Sequence, residues 1–463
     1  MILLAYHGGR KLKILSLSGI LGYGYNEEAF KKALEQDIDV IGVDGGSSDP
    51  GPYYLGSGKS FTERQTVKRD LSLALPEAIK RNILFIIGTA GGAGGEPHLQ
   101  WMIEIFKEVA KENHLSFKMA EIHCEVEKDY LKKKLEEGKI KPFVNNSNLT
   151  INDIEECQRV VGQIGVDPFI FALEEGAQVI LAGRACDTAI FASSPIIKGY
   201  DPGLAYHMAK IIECGAMCTV PLSAADVMLA EINKEHFFLE SPNPIRRCSV
   251  ERVAAHTLYE QVNPYYIYEP DGIVDLRNTK FEQYTKTSVR VSGSKFIPSE
   301  QKTIKVEGVK LAGYRTISIC GVRDLGMIKN INKILKEVEK RVKENIHNSI
   351  NLGDYTILFR KYGIDAVEGL IEPLKDLPHE IGIIVDVVGK TQEIANIICA
   401  IARSNLLHID YPGRKTTAGN IAFPYSPSDI SLGSVYNFNI YHLVEVENLS
   451  ETSRIEFIEV GSK

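Results

Sequence analysis

The fold is decided by the stretch Ile83-Leu-Phe-Ile-Ile-Gly-Thr-Ala-Gly-Gly-Ala-Gly-Gly-Glu-Pro-His98. Its first five residues are apolar, which predicts a buried strand. Residues 99–110 carry apolar side chains at helical spacing, which predicts a helix. Five glycines lie between them: Gly88, Gly91, Gly92, Gly94 and Gly95. A strand, a glycine loop and a helix in this order are typical of a parallel α/β sheet that binds an anion at the helix N-terminus.

The spacing of these glycines argues against a dinucleotide site. The pattern G-x-G-x-x-G needs glycine two positions after the first, and Ala90 stands there after Gly88. Starting at Gly92 places Pro97 where the third glycine belongs. Two interpretations stay open, an anion-binding loop of another kind and a tight turn that binds nothing.

The composition is that of a globular protein: 463 residues, 44% hydrophobic and 24% charged. A net charge of -7 without a long basic run argues against nucleic acid as a partner. The apolar start, residues 1–6, is too short for a signal peptide or a membrane span, and we expect no membrane partner. Eight cysteines in a chain of this length are interpreted as buried thiols in a reducing cytoplasm.

The N-terminal half repeats one theme, a short strand followed by polar or glycine residues and a helix. Such strands are predicted at 13–17, 38–43, 83–87, 117–122 and 178–181. Alternating strands and helices predict the α/β class, with a doubly wound, mostly parallel sheet. The carboxyl ends of its strands share one edge, where ligands bind. We therefore expect residues 1–240 to form a Rossmann-like domain that binds an anionic ligand.

The sequence changes in character from about Pro242. Alternating segments follow at 287–291, 303–309 and 314–319, and then an amphipathic helix at 328–346. A strand at 381–387, a helix at 391–402 and an alternating segment at 435–446 complete the chain. This pattern predicts C-terminal α+β units with boundaries at 241–375 and 376–463.

One loop, Ser57-Gly58-Lys59-Ser60, ends like a phosphate loop. A nucleotide-hydrolysing P-loop also needs a glycine where Tyr53 stands and a strand directly before the loop, so we reject that function. Lys59 is then an anion clamp, a catalytic amine or a solvated loop lysine.

Two further motifs carry charges suited to chemistry. In Gly183-Arg184-Ala-Cys-Asp187, the arginine offers a planar fork for a carboxylate or phosphate, and the aspartate either caps a helix or binds substrate. His207 and Lys210 are three apart and share a helix face, either for proton transfer or as a solvated stripe.

Several polar side chains follow predicted strands, and they offer ligands for a divalent metal or an acid–base pair. They are Asp44, Asp49, Glu96, His98, His123 and Glu125. His256 and Glu260 are four apart on a helix but lack the His-Glu-x-x-His arrangement, so we expect a structural role for them. The identity of any metal stays open.

Motifs across the chain resemble those of the acyclic terpene utilisation protein AtuA family. They are Ser18-Gly19, the glycine loop, Gly183-Arg184-Ala-Cys-Asp187, His207 with Lys210-Ile-Ile-Glu213-Cys-Gly-Ala, Ala255-His256-Thr-Leu-Tyr-Glu260, Gly313-Tyr-Arg-Thr, Gly321-Val-Arg-Asp324 and Gly419-Asn420-Ile-Ala-Phe-Pro424. They run in family order to about residue 430. The resemblance implies acid or acyl-CoA catabolism in a bacterial or archaeal cytoplasm, without catalytic residues to transfer. It also permits work with a small companion domain, and we expect the tail at 436–459 to resemble such a domain.

Our leading hypothesis is a lyase, hydratase or isomerase that acts on a small carboxylic acid or acyl-CoA, with CoA as part of the substrate. The expected catalytic residues are Asp44, Lys59, His207 and Lys210. The expected substrate-binding residues are Ser18, Gly19, Ser57, Gly58, Ser60, Gly91, Gly92, Gly94, Gly95, Arg184 and Asp187. We expect a small anionic substrate and a homo-oligomer.

Two hypotheses from other classes remain open. One is a non-catalytic binding or scaffold subunit that works beside a carboxylase or mutase. The other is a metal-dependent hydrolase that uses Asp44, Asp49, His98 and His123.

Overall fold

The structure, a computed structural model, describes residues 11–144, 146–346, 349–367, 369, 376–417 and 419–461. The chain divides into two compact units. The large unit contains Met1–Lys310 and Phe438–Lys463, and the small unit contains Leu311–Asn437.

The strands are short except for two. In chain order they are β1 (Leu12–Ser16), β2 (Val40–Asp44), β3 (Leu84–Gly88), β4 (Phe117–His123), β5 (Ile140–Pro142), β6 (Arg159–Gln163), β7 (Val179–Ala182), β8 (Thr219–Val220), β9 (Met228–Ile232), β10 (His236–Glu240), β11 (Arg247–Cys248), β12 (Tyr266–Glu269), β13 (Gly272–Asp275), β14 (Lys280–Gln283), β15 (Ser288–Ser292), β16 (Lys295–Pro298), β17 (Lys302–Val322), β18 (Tyr355–Tyr362), β19 (Ile381–Gly389), β20 (Asp429–Val446) and β21 (Arg454–Val460).

Most helices lie in the N-terminal half. In chain order the helices are α1 (Glu27–Ala33), α2 (Pro52–Ser57), α3 (Arg64–Lys80), α4 (Glu96–Glu112), α5 (Lys128–Glu136), α6 (Ile151–Glu156), α7 (Asp167–Glu174), α8 (Asp187–Ile197), α9 (Pro202–Ile212), α10 (Val250–Thr257), α11 (Leu325–Ile346) and α12 (Gln392–His408). None of the described helices is both long and apolar enough to cross a membrane.

A mixed sheet with a parallel centre of five strands organises the large unit. Its strand order is β14-β15-β10-β9-β1-β2-β3-β7-β4-β21. The pairs β1–β2, β2–β3, β3–β7 and β7–β4 are parallel, and the strands that extend the sheet on either side are antiparallel. The predicted strands of the N-terminal half are thus confirmed as β1, β2, β3, β4 and β7, and the α/β class is confirmed with them.

Both faces of the parallel centre of this sheet are buried, because β3 and β7 are apolar at every position and β2 is apolar up to Asp44. Ile86 packs into one apolar core and its neighbour Ile87 into the other. Helices α7, α8 and α9 contribute Phe169, Phe191 and Met208 to the first core. Helices α1, α3 and α4 supply the second. Parallel strands covered on both faces leave only the strand ends for polar chemistry.

Two elements differ from the sequence-based expectation. The segment before α3, expected as a loop, contains the short helix α2, which starts at Pro52 and ends at Gly58 in the left-handed conformation with φ +73°. Proline at the first position and glycine after the last are favourable helix ends. The segments expected at 303–309 and 314–319 are parts of one strand, β17.

The small unit is built on antiparallel pairing. Strand β19 pairs with residues 314–322 of β17 on one side and with β18 on the other. Helices α11 and α12 contribute Ile331 and Ile398 to the apolar core that this unit builds. The predictions of a helix at 328–346, a strand at 381–387 and a helix at 391–402 are confirmed.

Candidate functional site

Three neighbouring strands of the sheet end in polar residues at one edge. Asp44 ends β2, Thr89 follows β3 and Arg184 follows β7. Thr89 has φ +50° and ψ +55°, a left-handed conformation that is costly for a β-branched residue. Its buried hydroxyl lies 3.3 Å from the backbone nitrogen of Ala185 and 3.4 Å from Nη1 of Arg184. Such backbone strain is concentrated at functional sites in proteins, which directs attention to this edge.

Arg184 is held by a carboxylate from a distant strand. Its Nε donates to Oε2 of Glu307 over 3.1 Å, and the two side chains are 3% and 0% exposed. Lys305 Nζ lies 2.7 Å from Oε1 of Glu307, and the Ser48 hydroxyl donates to Oε2 of Glu307 over 2.7 Å. Burial raises the pKa of Glu307, but Arg184 and Lys305 outweigh burial and lower it to about 2. This carboxylate is therefore charged and fixes Arg184 in place.

Helix α9 brings a buried lysine–glutamate pair to the site. The helix starts at Asp201, whose carboxylate accepts hydrogen bonds from Gly203 and Leu204, and ends beside Glu213. Lys210 Nζ lies 2.5 Å from Oε1 of Glu213. Both side chains are buried, so the pair is screened little from the charges around it.

Lys210 also reaches the more exposed side of the site. Its Nζ lies 3.4 Å from Oε2 of Glu260, a residue that is 47% exposed on its side chain. The same ammonium lies 5.5 Å from the centre of the Tyr259 ring. Lys210 thus joins the buried carboxylates to groups that face solvent.

Three carboxyl groups here each have a buried oxygen without a hydrogen-bond partner among the described residues. They are Asp44 Oδ1, Asp187 Oδ1 and Glu213 Oε2. Burial, and then the charge of Asp187, raises the pKa of Asp44 well above its usual value. Burial also raises the pKa of Asp187, and it raises that of Glu213 to about 8 although Lys210 opposes it. We call these three residues, with Lys210 and Arg184, the acidic cluster.

His256 borders the acidic cluster. Its Nε2 is buried without a partner among the described residues, and its ring stacks on Tyr259 at 5.4 Å. Burial, together with the charge of Lys210, lowers the pKa of His256 to about 4. The imidazole is therefore neutral near pH 7 and has a nitrogen available to a ligand.

The glycine loop lies against the edge that carries Arg184. Gly94 has φ +67°, and a Cβ there would lie 2.2 Å from the backbone nitrogen of Arg184. Gly92 has φ +91°, and a Cβ there would lie 2.7 Å from the Cβ of Phe61. Similar crowding surrounds Gly91 at His98 and Gly95 at Arg159. These glycines allow close packing between protein segments, so ligand approach is not needed to explain them.

The N-terminus of α4 is paired with a side chain of the protein. The backbone N–H of Glu96 donates to Oε1 of Glu125 over 3.0 Å, and Glu125 also pairs with Arg159. An anion expected at this helix end would meet that carboxylate.

Ser18 and Gly19 lie beside the end of α9. The Ser18 hydroxyl donates to the carbonyl of Ile20, and the Gly19 N–H donates to that of Ala224 over 2.7 Å. A Cβ on Gly19 would lie 3.1 Å from the carbonyl oxygen of Cys214, the residue after Glu213. Close backbone packing thus explains this glycine.

The loop of Lys59 lies beside Arg159 and the start of α4. Lys59 is exposed, and its carbonyl accepts from Nε2 of His98 over 3.0 Å. The hydroxyls of Ser57 and Ser60 accept backbone N–H groups two residues later, and Gly58 packs on Pro97. The loop is therefore fixed on the start of α4, with a lysine directed into solvent.

His207 shares α9 with Lys210 but has different surroundings. Its Nδ1 lies 2.6 Å from the Ser294 hydroxyl and its Nε2 lies 3.0 Å from that of Thr257. The rings of Phe237 and Phe281 pack on it edge to face. Burial lowers its pKa to about 3, so it is neutral and fully bonded.

Asp44, Asp49, His98 and His123, the residues of the metal-dependent hydrolase hypothesis, form no common ligand cluster among the described residues. Asp49 is exposed, and Nε2 of His98 is bonded to the carbonyls of Tyr54 and Lys59. His123 is instead paired with Glu96, 2.9 Å from Nδ1 to the carboxylate. The structure therefore brings Asp44, Arg184, Asp187 and Lys210 together, and it places Lys59, His98, His123 and His207 elsewhere.

Several residues of the site were not identified from the sequence, and Glu307 is the chief one. Lys305 and Glu307 alternate along β17, which indicates that they share one face of the strand. No neighbouring residue in the sequence indicates that this face of the strand is buried against Arg184. Thr89 and Ser48 likewise had no motif to distinguish them.

A comparison with protein-family models supports the resemblance seen in the motifs. The model described as acyclic terpene utilisation family protein AtuA matches residues 12–425. No curated protein and no solved structure matches the chain.

Proposed function

The chain belongs to the acyclic terpene utilisation AtuA family, and from this premise we propose that it is a catabolic enzyme which moves protons on an acyclic carboxylic acid or its CoA thioester. The reaction class is lyase, hydratase or isomerase, since each needs a proton removed from or added to carbon beside a carbonyl. We expect the enzyme to act in the cytoplasm as a homo-oligomer.

The observation that carries this proposal is the set of buried carboxyl oxygens without hydrogen-bond partners in the acidic cluster, and raised pKa values support it. A general acid or base works best when its pKa lies near the working pH, and burial is the usual means of raising that of a carboxyl group. Burial raises the pKa of Glu213 to about 8, which lies near the working pH, and burial also raises the pKa of Asp44. Their unpartnered oxygens are where a substrate would exchange a proton.

The two cations of the cluster have a role in the same chemistry. A carbanion beside a carbonyl places negative charge on oxygen, and fixed positive groups stabilise it without reorganisation. Lys210 and Arg184 are held by Glu213 and Glu307 and are therefore oriented in advance. We propose that one of them faces the substrate carbonyl while Asp44 supplies the proton.

The residues next to Glu260 fit an apolar acyl chain. Leu258 is 44% exposed, Tyr259 47% and Val262 95%. Exposed apolar side chains in one short segment favour contact with apolar ligands. For the polar end of a CoA ester we propose Lys59 with the hydroxyls of Ser57 and Ser60.

Solvent exchange tests proton transfer without knowledge of the product. The full chain is incubated in D2O with branched acyclic acids and their CoA thioesters, and deuterium in the recovered substrate is measured by mass spectrometry. We expect exchange with at least one thioester, and a loss of about 10²- to 10⁴-fold in Asp44→Asn.

A second pair of variants tests the CoA contact. Lys59→Ala is expected to raise KM for a thioester, whereas Lys80→Ala, at another exposed lysine, leaves it unchanged. A chain that exchanges no proton in any substrate and co-purifies with a carboxylase or mutase would instead be a scaffold subunit.

A further inference from the structure

Two carboxylates face each other across the junction of β4 and β21. The strands pair antiparallel with Glu121 directly opposite Glu456, and His123 lies two residues beyond Glu121 on the same face. Like charges directly opposite each other destabilise a strand pair. Glu121 is only 5% exposed, so little water screens it. Lys107 and Arg454 supply positive charge near Glu121, and a cation between the two carboxylates would lower their repulsion further.

His123 directs an unused nitrogen at these carboxylates. The residue is 6% exposed, and its Nε2 has no hydrogen-bond partner among the described residues. That nitrogen lies 4.0 Å from Oε2 of Glu121 and 3.8 Å from Oε2 of Glu456, both beyond hydrogen-bond length. Arg454 pairs with the other oxygen of Glu456, which leaves Oε2 for another partner.

The other nitrogen of His123 sets the tautomer. Nδ1 lies 2.9 Å from Oε2 of Glu96, whose Oε1 accepts from the side chain of Gln100 over 3.0 Å. A neutral imidazole that donates Nδ1–H to this carboxylate presents its lone pair at Nε2. Metal-binding histidines are oriented by carboxylates in the same way.

The spacing of the three groups suits a metal ion. One ligand atom from each lies within 4.8 Å of the other two. Bonds of about 2.0–2.2 Å separate two ligands of one ion by at most about 4.4 Å. The distances of 3.8 and 4.0 Å already fall below that limit, and small side-chain rotations would bring them to tetrahedral spacing.

We propose that Glu121, His123 and Glu456 bind one divalent transition metal ion, with Glu96 as the positioning residue for His123. An imidazole nitrogen among the ligands favours zinc and its neighbours over magnesium and calcium, which prefer oxygen alone. Glu456, 46% exposed on its side chain, leaves room for water as a further ligand. The ion would join β21 to β4 and remove the repulsion between the two glutamates.

Metal titration of the full chain tests this site. After treatment with a chelator, Zn²⁺ is titrated calorimetrically, and Co²⁺ is added separately to record its absorption spectrum. We expect one site per chain, and a cobalt spectrum without the thiolate charge-transfer band that binding at cysteine would give. His123→Ala and Glu456→Gln should each abolish this site, and Glu96→Gln should weaken it by about 10- to 100-fold.

Glu459→Gln is the matched control, because Glu459 is exposed on the same strand and pairs opposite Lys118. It should bind Zn²⁺ like the unchanged chain. Zn²⁺ should also raise the thermal midpoint of the unchanged chain and of Glu459→Gln, but not that of Glu456→Gln. Binding that persists in Glu456→Gln and His123→Ala, or no binding by the unchanged chain, would overturn the proposal whatever the catalytic activity.

Discussion

Arg184 and Glu307 lie side by side in the interior of the large unit, with Nε of the arginine 3.1 Å from Oε2 of the glutamate. Removing one member of a buried pair leaves the other charge without compensation, which costs about 3–5 kcal/mol. Lys305 loses its partner at the same time. We therefore expect Glu307→Gln to lower the free energy of unfolding in urea by about that amount. Glu300→Gln, at an exposed position, should change it little.

The same variant has a defined pH dependence. The pKa of Glu307 is about 2 in the folded chain and ordinarily 4.5. A depressed carboxyl pKa contributes stability that is fully present above the ordinary value and is lost as the pH falls from there towards the folded value. The difference in the free energy of unfolding between the unchanged chain and Glu307→Gln should therefore narrow below about pH 4.5. A gap that stays constant down to pH 3 would contradict this account.

Asp44→Asn should have the opposite effect on stability. A carboxyl group whose folded pKa is raised makes the protein less stable as the pH rises above the unfolded value. Asparagine removes that penalty, so we expect the free energy of unfolding at pH 7–8 to be higher in Asp44→Asn than in the unchanged chain, with a difference that narrows towards pH 4. Turnover should fall in the same variant. Asp37→Asn, at an exposed site, provides the control for the stability measurement.

Gly94→Ala tests the close approach of the glycine loop to Arg184. Gly138 is a matched control, since its φ of +70° is nearly the same as the +67° of Gly94 but nothing lies within 4 Å of its Cβ position. Alanine at Gly138 should cost about 1–2 kcal/mol from backbone strain alone. At Gly94 the collision adds about 1–3 kcal/mol. Equal losses of unfolding free energy in the two variants would refute the packing explanation.

His207→Asn distinguishes a structural histidine from a catalytic one. The folded pKa of about 3 lies below the ordinary 6.5, so His207 makes the chain less stable as the pH falls through that interval. We expect the variant to be less stable at pH 7 by about 1–3 kcal/mol, because buried hydrogen bonds are lost. The free energy of unfolding of His207→Asn should fall less steeply as the pH is lowered than that of the unchanged chain. Normal stability with lost turnover would restore the catalytic role expected from the sequence.

The central sheet was predictable because its signals are local. An apolar run of five residues, a glycine and a helical pattern occur within one short stretch at 83–110. A similar pattern includes β7 and α8, and another begins at β2. The positions of Asp44 and Arg184 at one edge then follow from the parallel arrangement alone.

The partners within the site were less predictable, because they come from distant parts of the chain. Glu307 lies more than a hundred residues after Arg184, on a strand whose alternation does not indicate which face is buried. The sequence predicts an external anion at the start of α4, but in the structure the carboxylate of Glu125 accepts the Glu96 N–H there. His207 and Lys210 share a helix face by spacing, yet one is enclosed by Phe237 and Phe281 while the other pairs with Glu213.

The pairing of β21 with β4 has a consequence for the order in which the chain is made. Strand β4 leaves the ribosome early, but the strand that covers its outer edge is synthesised hundreds of residues later. At about 5–20 residues per second, that edge stays open for roughly 20 to 60 seconds. An unpaired edge strand is a template for association with other chains. Until residues 454–460 emerge, β4 of the nascent protein therefore has an unpaired edge to which other chains can add.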